Sequence, residues 1–326
     1  MQMESHTFDE LDLRLLSALE TNARASFSRI GAVLGVSDQT VARRYRRLCA
    51  EGGLRIVAVR DGVALGQDDW TLRLRCVPDS ALTIADALAK RPDTSWIAIA
   101  SGGTEVICGT RPRSVGDRDD LLLGKLPRTP RLMEIRAHQL LHRFAGGPTG
   151  WLRRFAALTE EQMTALHPDH LPDPGPARID PEDEPLLAVL ERDGRATYPE
   201  LQRATGRSES AVKRRLAALL ASGAVYVDVE FRPEALGYPV SAVLWLTATP
   251  AALHSVGEAL ATHDPIAHAA ATAGPSNLMA TAVVRTTADL YAYISGPLGR
   301  LPGLQHVEAT PYLRRIKQLT YPKPVR

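Results

Sequence analysis

Residues 12–56, DLRLLSALETNARASFSRIGAVLGVSDQTVARRYRRLCAEGGLRI, return 171 positions later as residues 183–227, DEPLLAVLERDGRATYPELQRATGRSESAVKRRLAALLASGAVYV. The alignment needs no gap, and 15 of its 45 positions are identical. Farther along, the register continues with a shift of one, as in the pairs Gly102/Gly274 and Arg143/Arg315. Self-similarity of this length predicts a tandem duplication of a unit of roughly 150 residues.

The composition is that of an ordinary globular protein, with 44% hydrophobic and 23% charged residues. Because the net charge is only +2, any surface for nucleic acid must be local. The three cysteines are far apart and lack C-x-x-C spacing, which argues against a disulfide framework or a zinc site. No signal-peptide pattern opens the chain, and no apolar run approaches the roughly 20 residues that cross a bilayer. These features predict a cytoplasmic protein with no membrane partner.

Prolines mark the boundary between the copies. Six of them fall between Pro168 and Pro185, a density that interrupts helices and central strands and indicates a linker. The segment just before it has helical apolar spacing and a capping box at Thr159 and Gln162, with no counterpart in the second copy. The predicted domains are residues 8–60, 66–146, a helix and linker at 147–178, then 179–231 and 237–320.

The first part of each copy has the pattern of three helices. Asp9 is placed as the N-cap of the first helix, and leucines recur behind it at helical spacing. After a second short helix, the sequence GVS provides a glycine turn and then Ser37 as the cap of the third helix. Two short helices joined by a glycine turn make a helix-turn-helix. The same turn and cap return at Gly206 and Ser208.

The third helix of the first copy carries an arginine-rich face. On a helical wheel, Val41 and Leu48 face the other helices, while Arg43, Arg46 and Arg47 point outward. Six arginines and only two acids lie between residues 37 and 60, which is typical of a helix that enters the major groove of double-stranded DNA. The predicted contacts are bases for Gln39, Arg43 and Arg47, phosphates for Ser37, Thr40 and Arg46, and either a phosphate or a structural ion pair for Arg44.

The second copy keeps the fold but has a weaker basic face. Alanines replace Arg46 and Arg47, and residues 180–230 carry ten acids against seven basic residues. DNA contact therefore stays open for this copy. Its candidate contact residues are Ser208, Ser210, Lys213, Arg214 and Arg215.

The second part of each copy has the element order β-α-β-β-α-β, which describes a ferredoxin-like sandwich. The strand SAVLWLTA of the second copy is apolar on both faces. Such a strand predicts packing against another sheet, most simply the sheet of the first copy. The fold class is therefore α+β, with two winged-helix-like helix-turn-helix domains, each followed by a ferredoxin-like domain, joined as an intramolecular pseudo-dimer.

This arrangement resembles the Lrp/AsnC family of transcription regulators, taken as two fused members. Ser37, Val41, Arg44, Leu48 and Gly52 fall on the family's spacing. The resemblance implies sequence-specific DNA binding, dimers made through the ferredoxin-like domains, further homo-oligomerisation, and small effectors, often amino acids, near the turn between the second and third strands. The candidate effector residues in the two turns are Gly102, Gly103, Thr104, Glu105, Gly274, Ser276 and Asn277.

These turns depart from the family pattern, which usually has a glycine followed by an aspartate. Glu105 and Asn277 stand where the aspartate is expected. If an amino acid binds, the backbone amides of the glycines in these turns suit its carboxylate, and Glu105 suits its ammonium group. The alternative is that the glycines only make tight turns.

Other signals carry less. His138 and His142 lie four apart, but on a strand and without a third ligand, so we expect no metal and no cofactor. No serine or cysteine lies in a motif that supplies a base to activate it as a nucleophile, which argues against an enzyme. The rival hypothesis is a ligand-sensing or interaction protein in which one or both helix-turn-helix domains no longer bind DNA.

Overall fold

The computed structural model describes residues 8–148, 150–155, 157–167 and 175–319. In the first half of the chain the elements are α1 (Glu10–Thr21), α2 (Phe27–Leu34), α3 (Asp38–Arg47), β1 (Arg55–Arg60), β2 (Trp70–Cys76), α4 (Ala81–Ala89), β3 (Thr94–Ala100), β4 (Glu105–Thr110), α5 (Val115–Asp119), β5 (Leu132–Ala145) and α6 (Glu160–Leu166). The second half contains α7 (Glu184–Leu190), α8 (Tyr198–Thr205), α9 (Glu209–Ala221), β6 (Val225–Glu230), β7 (Val240–Ala248), α10 (Leu253–Thr262), β8 (Ile266–Thr272), β9 (Leu278–Val284), α11 (Thr287–Ser295) and β10 (Leu304–Lys317).

The chain forms two compact units, and each unit combines like parts of the two copies. Unit 1 is Met1–Leu65 with Gly147–Gly237, and unit 2 is Gly66–Gly146 with Tyr238–Arg326. The two helix-turn-helix domains therefore share one unit, and the two sheet domains share the other. Part of the predicted linker, residues 168–174, lies outside the described residues.

The predicted helix starts are present in unit 1. Asp9 caps α1 in a reciprocal box with Asp12, and Ser37 accepts a hydrogen bond from the amide of Thr40 at the start of α3. Gly35 closes α2 in the left-handed conformation, with φ of 71°. After Arg47 the helix widens into a π-helical turn that ends at Gly52. A Cβ at Gly52 would overlap the ring of Phe231, so this position requires glycine.

The strand after each helix-turn-helix corrects the winged-helix prediction. β1 does not form a hairpin within its own copy but pairs antiparallel with β6 of the second copy. Val57 lies opposite Asp228, its own counterpart at the 171-residue offset, so the pairing is symmetric about this position. A lone strand has no partner for its backbone groups, and the equivalent strand of the other copy supplies one.

In unit 2 the strands close into one barrel in the order β10-β3-β4-β2-β5-β8-β9-β7. Each copy contributes the predicted β-α-β-β-α-β order. The last strand of each copy is long enough to serve both sheets. β5 pairs with β2 along its first half and with β8 along its second half, and β10 pairs with β7 and then with β3.

The predicted packing of sheet on sheet is confirmed in the centre of unit 2. Trp245 of β7 is completely buried, in a cluster that also contains Ala100 and Ile107 of the first copy. The two copies thus share an apolar core in addition to their strand pairing.

Candidate nucleic-acid interface and ligand turns

The outward face of α3 is largely open to solvent. Ser37, Gln39, Arg43 and Arg46 are exposed, and Thr40 is half-buried. The inward positions are filled as predicted, with Val41 and Leu48 buried. Within the described part of the chain, the guanidinium groups of Arg43 and Arg46 have no ion-pair partner, so they remain available for an anionic ligand.

Arg47 differs from the prediction that its side chain points outward from α3. Its guanidinium forms an ion pair with Asp12, which is fully buried, and lies 5.7 Å from the centre of the Phe8 ring. Because Asp12 must be neutralised inside the domain, it draws Arg47 back along the helix. Arg47 is therefore held by its own domain, although 41% of its side chain is still exposed.

Arg44 takes the structural role that the sequence left open. Its Nη1 donates to Asp9 Oδ1 at 2.7 Å and to Asp12 Oδ1 at 2.9 Å. The hydrogen bond to Asp9, followed by the bond to Asp12, raises the pKa of Arg44. Burial tends to raise the pKa of Asp9, but the hydrogen bonds from Arg44 and the Asp12 amide, with the charges of Arg44 and Arg47, together lower it. Both groups are thus held in their charged forms.

The same ion pair is present in the second copy. Arg215 Nε donates to Asp183 Oδ1 at 2.9 Å, and Asp183 is buried. Burial would raise the pKa of Asp183, but the hydrogen bonds that it makes with Arg215 and the Asp180 backbone, with the charges of Arg215 and Arg207, together lower it. A carboxyl group whose pKa falls on folding stabilises the fold above its unfolded pKa, and this contribution is lost as the pH falls through the lowered value.

The outward face of α9 is less basic than that of α3. Ser208, Ser210, Lys213 and Arg214 are exposed. Ser208 caps the helix by accepting from the amide of Ala211, and Lys213 is paired with Glu209 at 2.5 Å. Arg214 is therefore the cation on this face that is best placed for an external anion.

Two crossing arginines join the helix-turn-helix domains, a role that the sequence did not reveal. Arg24 donates to the carbonyl of Gly194 at 2.5 Å and to that of Ala196 at 3.0 Å. Its counterpart Arg195 donates in return to the carbonyls of Ala23 and Ala25. The presence of an arginine at this position in both copies was the one sequence feature that pointed to such a role. Its partners lie in the other copy, so a pattern of neighbouring residues does not identify them.

The ligand turn of the first copy is built from two glycines in left-handed conformation. Gly102 has φ of 64° and Gly103 has φ of 93°. The neighbouring Thr104 hydroxyl donates to the carbonyl of Ser101 at 2.8 Å. This conformation accounts for the glycines as turn residues, and Gly102 is exposed while Gly103 is half-buried.

Glu105 does not offer the open carboxylate that an ammonium group requires. Its Oε1 accepts from Arg73 Nε at 2.6 Å, its Oε2 accepts from Ser101 Oγ at 2.7 Å, and the residue is buried. Arg73 also binds Glu308 at 2.6 Å and lies 4.6 Å from the centre of the Trp245 ring. A buried carboxylate is stable only with such a partner, so the pairing corrects the expected role of Glu105.

The turn of the second copy is held by its own side chains. Asn277 donates to the carbonyl of Ala248 at 2.8 Å and accepts from the amide of the same residue at 2.9 Å. The carbonyl of Ser276 accepts from Thr272 at 2.8 Å. Gly274, with φ of 119°, lies so close to His138 that a Cβ would reach its Nδ1 at 2.9 Å. Asn277 thus stands where the family has an aspartate, and its side-chain amide links the start of β9 to the end of β7.

Within the described residues, no helix is long and apolar enough to cross a membrane. The same residues contain no group of three or more histidine, cysteine, aspartate or glutamate side chains that would hold a metal ion. His138 lies instead against the Trp245 ring, at 4.9 Å between centres.

Family models match three parts of the chain. The AsnC-type helix-turn-helix domain matches residues 8–48 and again residues 179–220. The Lrp/AsnC ligand binding domain matches residues 241–322. The helix-turn-helix is thus present twice, in the segments that the internal repeat identifies.

Similar proteins include the HTH-type transcriptional regulator LrpA of Pyrococcus horikoshii, 28% identical over 140 residues. That alignment covers 43% of this chain and 99% of the relative. LrpA of Pyrococcus abyssi is 27% identical over the same shares of the two chains. One copy of the repeat therefore corresponds in length to one whole relative.

The siroheme decarboxylase NirDL is similar over nearly the whole chain. Its crystal structure has a TM-score of 0.61 at 14% identity, covering 95% of this chain and 93% of that chain. At this identity the likeness concerns the fold alone.

Proposed function

Because the chain belongs to the Lrp/AsnC family of transcription regulators, we propose that it reads a non-palindromic operator with two unlike helix-turn-helix domains. A dimer of identical subunits presents the same recognition helix twice and reads two equal half-sites. Here both domains belong to one chain, and their outward residues differ. The observation that carries the proposal is that Arg43 and Arg46 of α3 are exposed and have no ion-pair partner among the described residues, where α9 has Arg214 and Ala217.

The roles that we assign on α3 rest on residue type and exposure. We assign the exposed Gln39 and Arg43 to base edges, since glutamine and arginine form two-pronged hydrogen bonds with adenine and guanine. Ser37, Thr40 and Arg46 meet phosphates. Arg44 and Arg47 act from within the domain by neutralising Asp12. In the second copy Arg214 and Ser210 contact the other half-site, which is bound more weakly because α9 makes fewer DNA contacts than α3.

The first prediction concerns DNA affinity. Arg43→Ala should weaken binding to the operator by about 1–3 kcal/mol and relax specificity in one half-site. Arg214→Ala, the matched substitution in α9, should cost less, because fewer contacts surround it. Fluorescence anisotropy with the DNA upstream of the protein's own gene, titrated at several salt concentrations, measures both. Equal affinities for the parent and both variants would refute the assignment.

We also propose that a small effector, amino-acid-like, binds at the turns of unit 2 and alters DNA binding. Supporting this are the match of residues 241–322 to a ligand binding domain and the glycine turn, in which Gly102 is exposed and Gly103 half-buried. Backbone amides of such a turn suit a carboxylate. Since Glu105 is paired with Arg73, the effector's ammonium group needs another acceptor, or must displace Arg73.

The second prediction tests this site by calorimetry against a panel of the twenty amino acids. Gly102→Ala should weaken binding of the responding amino acid about tenfold, or about 1.4 kcal/mol. Gly66→Ala is the matched control, because Gly66 has nearly the same φ, 65° against 64°, and open space around its Cβ. Equal weakening in both variants would mean a general loss of stability, and the turn would then be only structural.

The alternative is a ligand-sensing or interaction protein in which one or both helix-turn-helix domains no longer bind DNA. It is favoured by the reduced basic face of α9 and by the fold shared with NirDL, since a fold by itself does not fix a function. The salt-dependent titration separates the two: absence of any DNA complex at low salt would support the alternative.

A further inference from the structure

The segment without a counterpart in the second copy packs on the first helix-turn-helix. α6 lies against α1 and α2, and its Leu166 is completely buried. The carbonyl groups at its carboxyl end are bound by the domain: Asn22 Nδ2 donates to Leu166 at 2.8 Å, and Arg29 donates to Ala165 at 2.9 Å. At the other end of α2, Gln162 donates to the carbonyl of Val33 at 3.0 Å.

The second helix-turn-helix has an open groove of about 550 Å³ on α7 and α8. Val189, Ala196 and Ala204 provide its apolar surface, and Asp193 and Glu200 lie beside them. Arg192 and Arg203 also border the groove, where Arg192 donates to the carbonyl of Ala188 and Arg203 to that of Pro199.

The groove is the counterpart of the surface that α6 covers. At the offset of 171 residues, Asp193 corresponds to Asn22, Glu200 to Arg29 and Ala204 to Val33. These are the positions that hydrogen-bond α6 in the first copy. The duplication thus contains one docking surface twice, and only one of the two is occupied by a described segment of the chain.

The second surface is negative at the two positions that bind the carboxyl end of α6 in the first copy, while Arg192 and Arg203 at its border keep their positive charge. In the first copy an amide and a guanidinium donate to the negative, carboxyl end of α6. The second copy has two carboxylates there, which would repel such an end. Among the described contacts Asp193 accepts through Oδ1, from the Arg195 amide, and Glu200 through Oε2, from Thr197. The other oxygen of each carboxylate faces no described donor.

We propose that the groove on α7 and α8 is a docking site for a short amphipathic helix of a partner protein. The helix lies as α6 does, with apolar residues at the positions of Met163 and Leu166. It carries lysine or arginine at its carboxyl end, over Asp193 and Glu200. Basic residues there also favour the helix itself, because they offset the negative end of its dipole.

The test uses the full-length protein and two fluorescein-labelled peptides. One has the sequence of residues 158–167, and the other has lysine in place of Ala165 and His167, both exposed positions. A lactam bridge between the outward positions 160 and 164 holds each peptide helical, because free helices of this length are unstable in water. The lysine peptide should bind with saturation in anisotropy, at least tenfold more tightly than the native-sequence peptide.

Two variants identify the site. Ala204→Trp fills the groove and should abolish binding of the lysine peptide. Ala292→Trp, on an exposed helical position of unit 2, should leave it unchanged. Binding of neither peptide, or binding that Ala204→Trp does not affect, would overturn the proposal. Tighter binding of the native-sequence peptide would overturn it in favour of α6 from a second copy of the chain. DNA binding is not involved, so these outcomes stand apart from the operator experiment.

Discussion

Replacing Trp245 with alanine should destabilise unit 2 by about 3–5 kcal/mol, the usual cost of removing a fully buried aromatic side chain. Trp245 is 0% exposed and lies between the two sheets, with Met279 and Ile107 in the same cluster. Its ring also covers Arg73 at 4.6 Å and His138 at 4.9 Å. Hydrogen exchange resolved by segment measures the effect: amides of β7 and β9 should lose protection, while those of α1 to α3 keep it.

Trp245→Phe is the matched control. The indole Nε1 is buried and has no hydrogen-bond partner in the described part of the chain. Phenylalanine keeps most of the ring and removes this unsatisfied donor, so the variant should lose less than about 1.5 kcal/mol. If alanine and phenylalanine cost the same, the stability would not come from filling the space between the sheets.

Asp12→Asn is the second substitution with a large expected effect. Asp12 is fully buried and neutralises both Arg44 and Arg47. Loss of one partner from a buried pair costs about 3–5 kcal/mol. Because 20% of Arg44 and 41% of Arg47 remain exposed to water, we expect a smaller cost of about 2 kcal/mol. Urea unfolding followed by exchange of the α1 amides measures it.

Although Asp12→Asn should lower stability, the same variant should strengthen binding to DNA. Arginines released from Asp12 add positive charge to α3, so affinity for DNA of random sequence should rise and its salt dependence should steepen. Asp183→Asn, the matched change in the second copy, should give a smaller rise, because α9 has alanine where α3 has Arg47. If Asp12→Asn instead weakened operator binding as much as Arg43→Ala, the ion pair with Asp12 would be holding Arg47 in position to contact DNA.

Local signals predicted the elements well. The caps at Asp9, Ser37 and Ser208 are where the sequence placed them. A cap depends on a side chain and an amide three residues away, so the sequence contains both partners. The order of the sheet elements followed from alternation and turn residues in the same way.

Arg47 shows where this approach fails. A helical wheel gives the direction in which a side chain leaves its helix, but a long side chain can turn back toward a buried charge. Asp12 is 35 residues away in the sequence and becomes a partner only when α1 and α3 pack together. The pairing of Glu105 with Arg73 was missed for the same reason.

The sequence by itself determined that one unit occurs twice, that each copy has a helix-turn-helix and a ferredoxin-like part, and that the basic face is stronger in the first copy. These properties depend on residue type at short spacing. Tertiary structure alone decided that strands of the two copies pair with each other, that Arg24 and Arg195 cross between the copies, and that Arg47 is held by Asp12. Each of these requires buried backbone or charged groups to find partners far along the chain, and folding brings those partners within hydrogen-bond distance.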